Sequence, residues 1–487
     1  MEVWFIEPPP TLDWQPSSGV STAGRRHPSL NFTGEQVYSY INLSAAAVLR
    51  KAGHTVRYTH CQTEGIDRAA LVSKIREFPT GLIVIMAEHI NWGVTAAIIR
   101  EIRQESDAHV VLVGPLATAL DHEVMNRLEP DYILRREWDL SVLALSRSLA
   151  DGTPLEEVPG LTYRRGGALQ RTPDSPLVED LDALPFPAYD LVRLDRFYES
   201  VFKRFPAATT ITSRGCPYRC VFCAFPETIY DHRYRAQSPE RVLEEARFLY
   251  RDHGVREIRY DDDTFEVDRD RVFKICENFR SARMDLVWAP QCRPGNVDLE
   301  LARAMKQAGC TFILYGVESG VDDILQKIRK GTTTERIRQG VRAAQQAGID
   351  VLNCVMIGFY WDTRETIRET IAFAFELNAE FTQFSMPVPL PGTVYWDFLV
   401  GEGVIRPDDW LRSDSFHGLG FDLPHVSASE LQQILRKTYR RYYTRPRYVW
   451  MMVRRAGRSR DELCQTWRGL KALLTRNRPR PPGVKRT

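Results

Sequence analysis

Short apolar runs alternate with segments whose apolar positions recur every three to four residues, starting at the first residues of the chain. Residues 3–6 read as a buried strand, and a polar loop bearing Pro and Gly follows through Asn31. Residues 40–52 read as a helix ending at Gly53, a residue type favoured just beyond a helix C-terminus. A strand at 54–58, a helix near 69–78, a strand at 82–86, a helix at 94–104, a strand at 110–113 and a turn at 114–118 complete the pattern. Apolar strands alternating with amphipathic helices predict a parallel, doubly wound sheet over residues 1–150. Ligands of such sheets sit in the crevice at the carboxyl ends of the strands.

Residues 151–190 read as a connector. Within it, residues 160–171 form a hairpin turning at Gly166-Gly167, and the prolines of Asp182-Ala-Leu-Pro-Phe-Pro-Ala-Tyr-Asp-Leu191 break helix and strand alike. Over 191–405, strand signals recur at 208–212, 257–260, 286–289, 311–315, 351–357 and 382–385, with helices between. One helix starts at Ser238-Pro239, an N-cap with proline in the first helical position. Another is expected to start at the capping box Thr332-x-x-Glu335. Six strand–helix repeats predict a partial (β/α)6 barrel, an incomplete TIM-type fold that carries its chemistry at the carboxyl ends of the strands. Residues 406–487 read as a helical extension, with helices at 430–443 and 460–474, a basic and aromatic run at 440–450 joining them, and a disordered Arg/Pro-rich end from Arg476. The predicted class is α/β, with a Rossmann-like first domain, a barrel and a C-terminal helical extension.

Composition supports a globular reading: 487 residues, 43% hydrophobic, 26% charged. No apolar run approaches the ~18 residues of a membrane span. No basic, long-cored leader opens the chain. Nine cysteines, an odd number with three crowded together, fit a reducing compartment better than a disulfide framework, so a cytoplasmic location is expected. The net charge of +2 hides an asymmetry: from Arg436 onward 17 Lys/Arg face 2 acids, about +15, leaving about −13 on the rest. Such a segment suits nucleic acid, an anionic membrane surface or an acidic substrate; the bland reading is a solvated basic helix.

The most specific chemistry is Gly215-Cys-Pro-Tyr-Arg-Cys-Val-Phe-Cys223. Cys216, Cys220 and Cys223 stand at spacing C-x3-C-x2-C, close enough for three thiolates to converge from one loop. A structural zinc site closes with four ligands, and an ordinary 4Fe–4S cluster takes four cysteines. Three leave one iron open, unless the loop borrows a distant zinc ligand or its cysteines meet by chance.

This spacing, with Phe222 before the last cysteine, resembles the signature of the radical S-adenosylmethionine (SAM) enzymes. The resemblance implies a 4Fe–4S cluster on Cys216, Cys220 and Cys223 whose open iron binds the methionine end of SAM. It extends to the later strand ends: Asp262 in Tyr260-Asp-Asp-Asp263, Gln291 and Arg293 in Gln291-Cys-Arg293, Glu318 and Ser319 in Gly316-Val-Glu-Ser-Gly320, and Gly358 in Val355-Met-Ile-Gly358. By resemblance these are cofactor contacts, with Arg293 suited to the methionine carboxylate and Glu318 to the ribose hydroxyls. The first domain and the phrase Leu-Pro-Phe-Pro-Ala-Tyr-Asp resemble cobalamin-dependent members, which implies cobalamin contacts at Gly114 and Thr118. Two departures stand out: Pro115 replaces the usual second glycine, and the Asp-x-His-x-x-Gly signature is missing, with His60 the nearest candidate at the wrong spacing. Phe359-Tyr-Trp-Asp-Thr363 replaces a Leu-Pro-Gly phrase, and its aromatic patch suits lining a substrate pocket, shielding a radical from water or packing beneath the corrin.

The family implies a methyltransferase in which a 5′-deoxyadenosyl radical abstracts hydrogen from an unactivated carbon and methylcobalamin delivers the methyl group. The alternative is ring closure, rearrangement or oxidation on the same scaffold. Expected partners are a small-molecule substrate, such as a natural product, and an external electron donor such as flavodoxin or ferredoxin. Nucleic acid is not expected. Cys61 is the only cysteine before Cys216, which argues against a methylthiotransferase, since that class carries three more cluster cysteines there.

Overall fold

The computed structural model describes residues 1–9, 21–23, 29–31, 37–78, 81–197, 202–407, 409, 413, 418–457, 462–464 and 466–467. The chain divides into two compact units. The first comprises Met1–Phe197, Cys223–Ala236 and Leu390–Thr393; the second comprises Tyr198–Phe222, Gln237–Pro389 and Val394–Thr487.

In the first unit, β1 (Glu2–Glu7), α1 (Tyr40–Lys51), β2 (Thr55–His60), α2 (Arg68–Arg76), β3 (Leu82–Met86), α3 (Trp92–Glu105), β4 (His109–Val113) and β5 (Tyr132–Leu134) follow one another. These five strands are parallel in the order β2-β1-β3-β4-β5. Apolar runs such as Leu-Ile-Val-Ile-Met are buried because helices cover both faces of such a sheet. Local signals place α1 well: the Ser39 side chain accepts from Asn42 N, and Gly53 beyond its end takes φ +89°. The glycine-turned hairpin β6 (Leu161–Arg165) and β7 (Ala168–Arg171) continues the sheet antiparallel beyond β5. The expected loop before α1 contains a short antiparallel pair, Ser21–Ala23 with Ser29–Asn31; its remainder lies outside the described residues.

The second unit holds six parallel strands in sequential order: β8 (Ala207–Thr210), β9 (Glu257–Tyr260), β10 (Val287–Cys292), β11 (Phe312–Glu318), β12 (Asp350–Met356) and β13 (Phe381–Ser385). Helices connect successive strands, among them α4 (Pro239–Asp252), α5 (Arg269–Ala282), α6 (Leu299–Gln307), α7 (Thr334–Gln346) and α8 (Arg364–Leu377). Ser238 caps α4 as expected, accepting from Arg241 N. The cap of α7 is one residue later than expected: Thr333 accepts from Arg336 N. Beyond the barrel lie α9 (Val394–Gly401), α10 (Ala428–Thr444) and α11 (Pro446–Ala456). The run at 440–450 is therefore no simple joint. Its second half is the start of α11, with Pro446 in the first turn, where no backbone donor is missed. The helix expected over 460–474 and the tail from Arg476 lie largely outside the described residues.

At the floor of the barrel, the carboxylate of Asp350 bridges Lys203 Nζ at 2.6 Å and Arg455 Nη2 at 2.5 Å. Glu462 pairs with the same two cations. These charges are nearly enclosed and survive burial because each has an opposite neighbour.

Candidate active site

The cysteine loop leaves the carboxyl end of β8, and two acids from the end of β9 hold its start. Asp262, fully buried, accepts from Thr212 N at 2.9 Å, Thr212 Oγ1 at 3.0 Å and Ser213 Oγ at 2.5 Å. Asp263 Oδ2 accepts from Gly215 N at 2.9 Å, and Arg271 Nη2 donates to Thr212 O at 3.0 Å. Burial pushes the Asp262 carboxyl up, against the pull of these donors and Arg271. Asp262, expected among the cofactor contacts, thus turns its Oδ1 to the segment entering the loop.

Cys216 Sγ lies 3.1 Å from Thr264 Oγ1. Arg293, just beyond β10, donates from Nη1 to Cys220 Sγ at 3.7 Å and lays its guanidinium 3.7 Å from the Tyr218 ring centroid, a cation–π contact. Its backbone N donates to Glu266 Oε1 at 2.9 Å, while Asn296 joins Glu266 Oε1 to the Tyr218 hydroxyl. Arg293 is 7% exposed, and its Nη2 has no hydrogen-bond partner among the described residues. Val221 N donates to Ile328 O and Val221 O accepts from Tyr395 N, which stitches the loop to two further segments. Phe222 is buried against Phe359 at 5.5 Å. Cys223 begins the short helix Ala224–Thr228 in the first unit.

At the end of β11, Glu318 takes φ +64°, in the left-handed region that side-chain-bearing residues avoid. Its Oε1 accepts from Lys330 Nζ at 2.8 Å, and both residues are buried. A Cβ on Gly316 would stand 2.6 Å from Glu318 Oε1 and 2.8 Å from Lys330 Nζ, so the pair lies directly over this strand end. Ser319 Oγ lies 3.1 Å from Thr370 Oγ1 and accepts from Val321 N. Gln291 remains half-buried on β10, its carbonyl accepting from Phe265 N. Gly358 takes φ +92°, and a Cβ there would meet Leu431 of α10 at 2.3 Å. Phe359 of the aromatic phrase is fully buried beside Tyr395, and the half-buried Trp361 lies 5.0 Å from Phe398 of α9.

Lys330, Tyr218, Glu266 and Asn296 were not singled out by sequence. Tyr218 sits inside the cysteine motif and was open to notice. Lys330 follows Glu318 by a helical excursion, and nothing in the spacing ties the two together.

The first unit gathers its own polar groups at the carboxyl ends of β1, β2 and β3. Glu7 Oε1 accepts from Ser39 N at 2.8 Å, from Asn42 Nδ2 at 3.4 Å and from the Tyr58 hydroxyl. Burial lifts Glu7 to about 7 and Glu88 to about 8. His60 Nδ1 accepts from Thr63 N at 3.1 Å and its Nε2 lies 3.6 Å from Glu7; burial lowers the ring to about 4. His60 is thereby committed to local structure. Gly114 takes φ +106° beside Met86, and Thr118 Oγ1 accepts from Arg136 N at 3.0 Å.

Among the described residues, no three His, Cys, Asp or Glu side chains are gathered to hold a single metal ion. A three-cysteine cluster has no need of such a group, because each thiolate binds a different iron. The donors present fit it: three soft thiols on one strand-end loop, with a fixed cation at Cys220.

Residues 210–374 match the Radical SAM superfamily. The uncharacterized methyltransferase PH0819 of Pyrococcus horikoshii is 29% identical over 413 residues, covering 84% of this chain and 88% of its own length. The anaerobic magnesium-protoporphyrin IX monomethyl ester cyclase of Cereibacter sphaeroides is 25% identical over 356 residues, 71% of this chain and 57% of its own. Among solved structures, the radical SAM methyltransferase TsrM of Kitasatospora setae, with cobalamin and a 4Fe–4S cluster bound, aligns with a TM-score of 0.67 at 18% identity. The alignment covers 83% of this chain and 76% of that one. The barrel that presents the cysteine loop at its strand ends thus carries a radical SAM domain over residues 210–374. Beyond that domain, the chain is similar in fold to a cobalamin-binding radical SAM methyltransferase and in sequence to a protein named as a methyltransferase. No helix among the described residues is long and apolar enough to cross a membrane.

Proposed function

We propose that this enzyme transfers a methyl group to an unactivated carbon of a small molecule such as a natural product. The observation that carries the reading is the arrangement at the barrel's carboxyl ends, where Arg293 with its spare Nη2, the Glu318–Lys330 pair and the cysteine loop come from successive strand ends. When bound, the cluster and SAM supply radical initiation and cobalamin supplies methyl carriage. Cys216, Cys220 and Cys223 would hold the cluster, with Asp262 and Asp263 fixing the loop that presents them. The spare N–H of Arg293 suits a carboxylate, and Glu318 suits a pair of hydroxyls. Ser319, Gln291 and Gly358 complete the proposed SAM contacts. Phe222, Phe359 and Tyr395 form an apolar wall that excludes water. Cobalamin is assigned to the carboxyl ends of the first sheet, near Gly114 and Thr118, without a cobalt bond from His60. An external flavodoxin- or ferredoxin-like donor and a cytoplasmic location complete the reading.

The test is anaerobic reconstitution with iron, sulfide and cobalamin, followed by a 5′-deoxyadenosine assay and mass analysis with a labelled methyl donor. Corrin absorption with methyl gain in the product supports the reading. Turnover without methyl gain would instead favour ring closure or oxidation, the outcome suggested by the cyclase relative. A Cys220→Ala protein that kept its full iron content would sink the cluster assignment.

A further inference from the structure

Seven large apolar side chains stand exposed among the described residues, and five of them lie between Val449 and Trp467. Three share one face of α11: Val449 is 48% exposed, Trp450 63% and Val453 58%. Successive helical positions turn by about 100°, so these three form one continuous stripe, with exposed Arg447 and Arg454 along its flank. The opposite face of α11 is already used, since Tyr448, Met452 and Arg455 are buried. The helix is thus apolar on two sides, and only one of them has a partner among the described residues. Scattered exposed apolar residues need no explanation, but a clustered stripe marks an interaction surface. Leu463 and Trp467, 55% and 66% exposed, extend the same character beyond α11.

Charge selects the occupant. Arg436, Lys437, Arg440 and Arg441 are exposed on α10, the helix just before, and the segment from Arg436 onward carries about +15. An apolar stripe bearing Trp, flanked by arginine and set in a strongly basic segment, fits a helix lying in the interface of an anionic bilayer. A phosphate backbone would match the arginines but leave Val449 and Val453 uncompensated. We infer that α11 docks this enzyme onto an anionic lipid surface through Val449, Trp450 and Val453, without crossing it.

The test is co-sedimentation of the full-length protein with vesicles of phosphatidylcholine alone or mixed with phosphatidylglycerol. Binding to the mixed vesicles is expected to be at least about tenfold tighter, since each arginine near the surface contributes about 1 kcal/mol. Raising salt weakens it severalfold. Trp450→Glu with Val453→Glu should lose about tenfold or more while far-UV circular dichroism and iron content stay unchanged, because neither side chain is buried. Arg447→Glu with Arg454→Glu should weaken the preference for the anionic lipid severalfold. No sedimentation with anionic vesicles, or equal binding by the glutamate variant, overturns the inference. So does a dimer that Trp450→Glu dissociates without lipid binding, which would assign the face to a second copy. RNA binding with that same sensitivity and no vesicle binding overturns it as well.

Discussion

Removing the ammonium of Lys330 separates what Glu318 does for the fold from what it does for the reaction. Both side chains are less than a tenth exposed and meet at 2.8 Å. Their pairing therefore belongs with buried pairs, whose disruption costs about 3–5 kcal/mol, and not with surface pairs at about 0–1 kcal/mol. Lys330→Met should destabilise the protein by that larger amount, because it leaves an uncompensated carboxylate at a strand end. Adding Glu318→Gln removes the charge and should recover most of the loss. If Glu318 also accepts from the two ribose hydroxyls of SAM, each charge-assisted bond at about 1.5 kcal/mol, the double variant stays about 100-fold weaker in binding SAM although its stability has returned. Thermal unfolding and equilibrium dialysis of SAM, both under anaerobic conditions, read the two quantities independently. A double variant that binds SAM as tightly as wild type refutes the assignment and leaves Glu318 a partner of Lys330 alone. The left-handed backbone of Glu318 makes the functional outcome the expected one, since strain of this kind persists where a site requires it.

Asp262→Ala strands three donors at the mouth of the cysteine loop and should cost about 3–5 kcal/mol, with reduced iron incorporation on reconstitution; normal iron content would show that the loop holds its shape without it. Asp350→Asn leaves Lys203 and Arg455 short of one counter-charge and should cost about 3 kcal/mol in unfolding free energy; an unchanged melting temperature would refute the floor network. Stability should also respond to pH. Glu7 and Glu88 hold protons up to about 7 and about 8 in the folded state, above their unfolded values, so their contribution is complete in acid and is lost as pH rises. His60, lowered to about 4, acts oppositely between pH 4 and 6.5. Above pH 6.5 the raised acids act, Glu7 and Glu88 together with Glu257 and Glu380, which burial also lifts to about 7, so the melting temperature should fall from pH 6.5 to 8, at a slope of no more than about 1.4 kcal/mol per unit per group. Glu88→Gln should flatten that fall, and an equal fall in the variant would contradict the burial argument.

Periodicity and punctuation were enough to lay out the secondary structure. Strand Leu82–Met86 and strand Glu257–Tyr260 fall where their apolar runs place them, and Ser238-Pro239 starts its helix, because burial pattern and capping are local properties. The cysteine spacing is equally local: three cysteines within one loop need no long-range geometry to be recognised. What the chain brings together over distance is a different matter. The capping box pointed to Thr332, and the backbone path selects Thr333 instead. Phe359-Tyr-Trp361 has the composition of a pocket or of a core, and the helix Val394–Gly401 packs against it so that Phe359 is buried while Tyr360 and Trp361 stay half-buried. Asp262 and Asp263 are neighbours in an acidic run, yet each reaches a separate point of a turn about fifty residues earlier. Lys330 returns to Glu318 after the short helix Asp322–Lys327, and Arg293 finds Cys220 and Tyr218 from the end of a strand two along the parallel sheet. Sequence alone determined that three cysteines share the loop after the first barrel strand, since residue type and short spacing set that. The tertiary structure decided which charges face each other across strand ends, since a crossover connection brings together residues that no periodicity links.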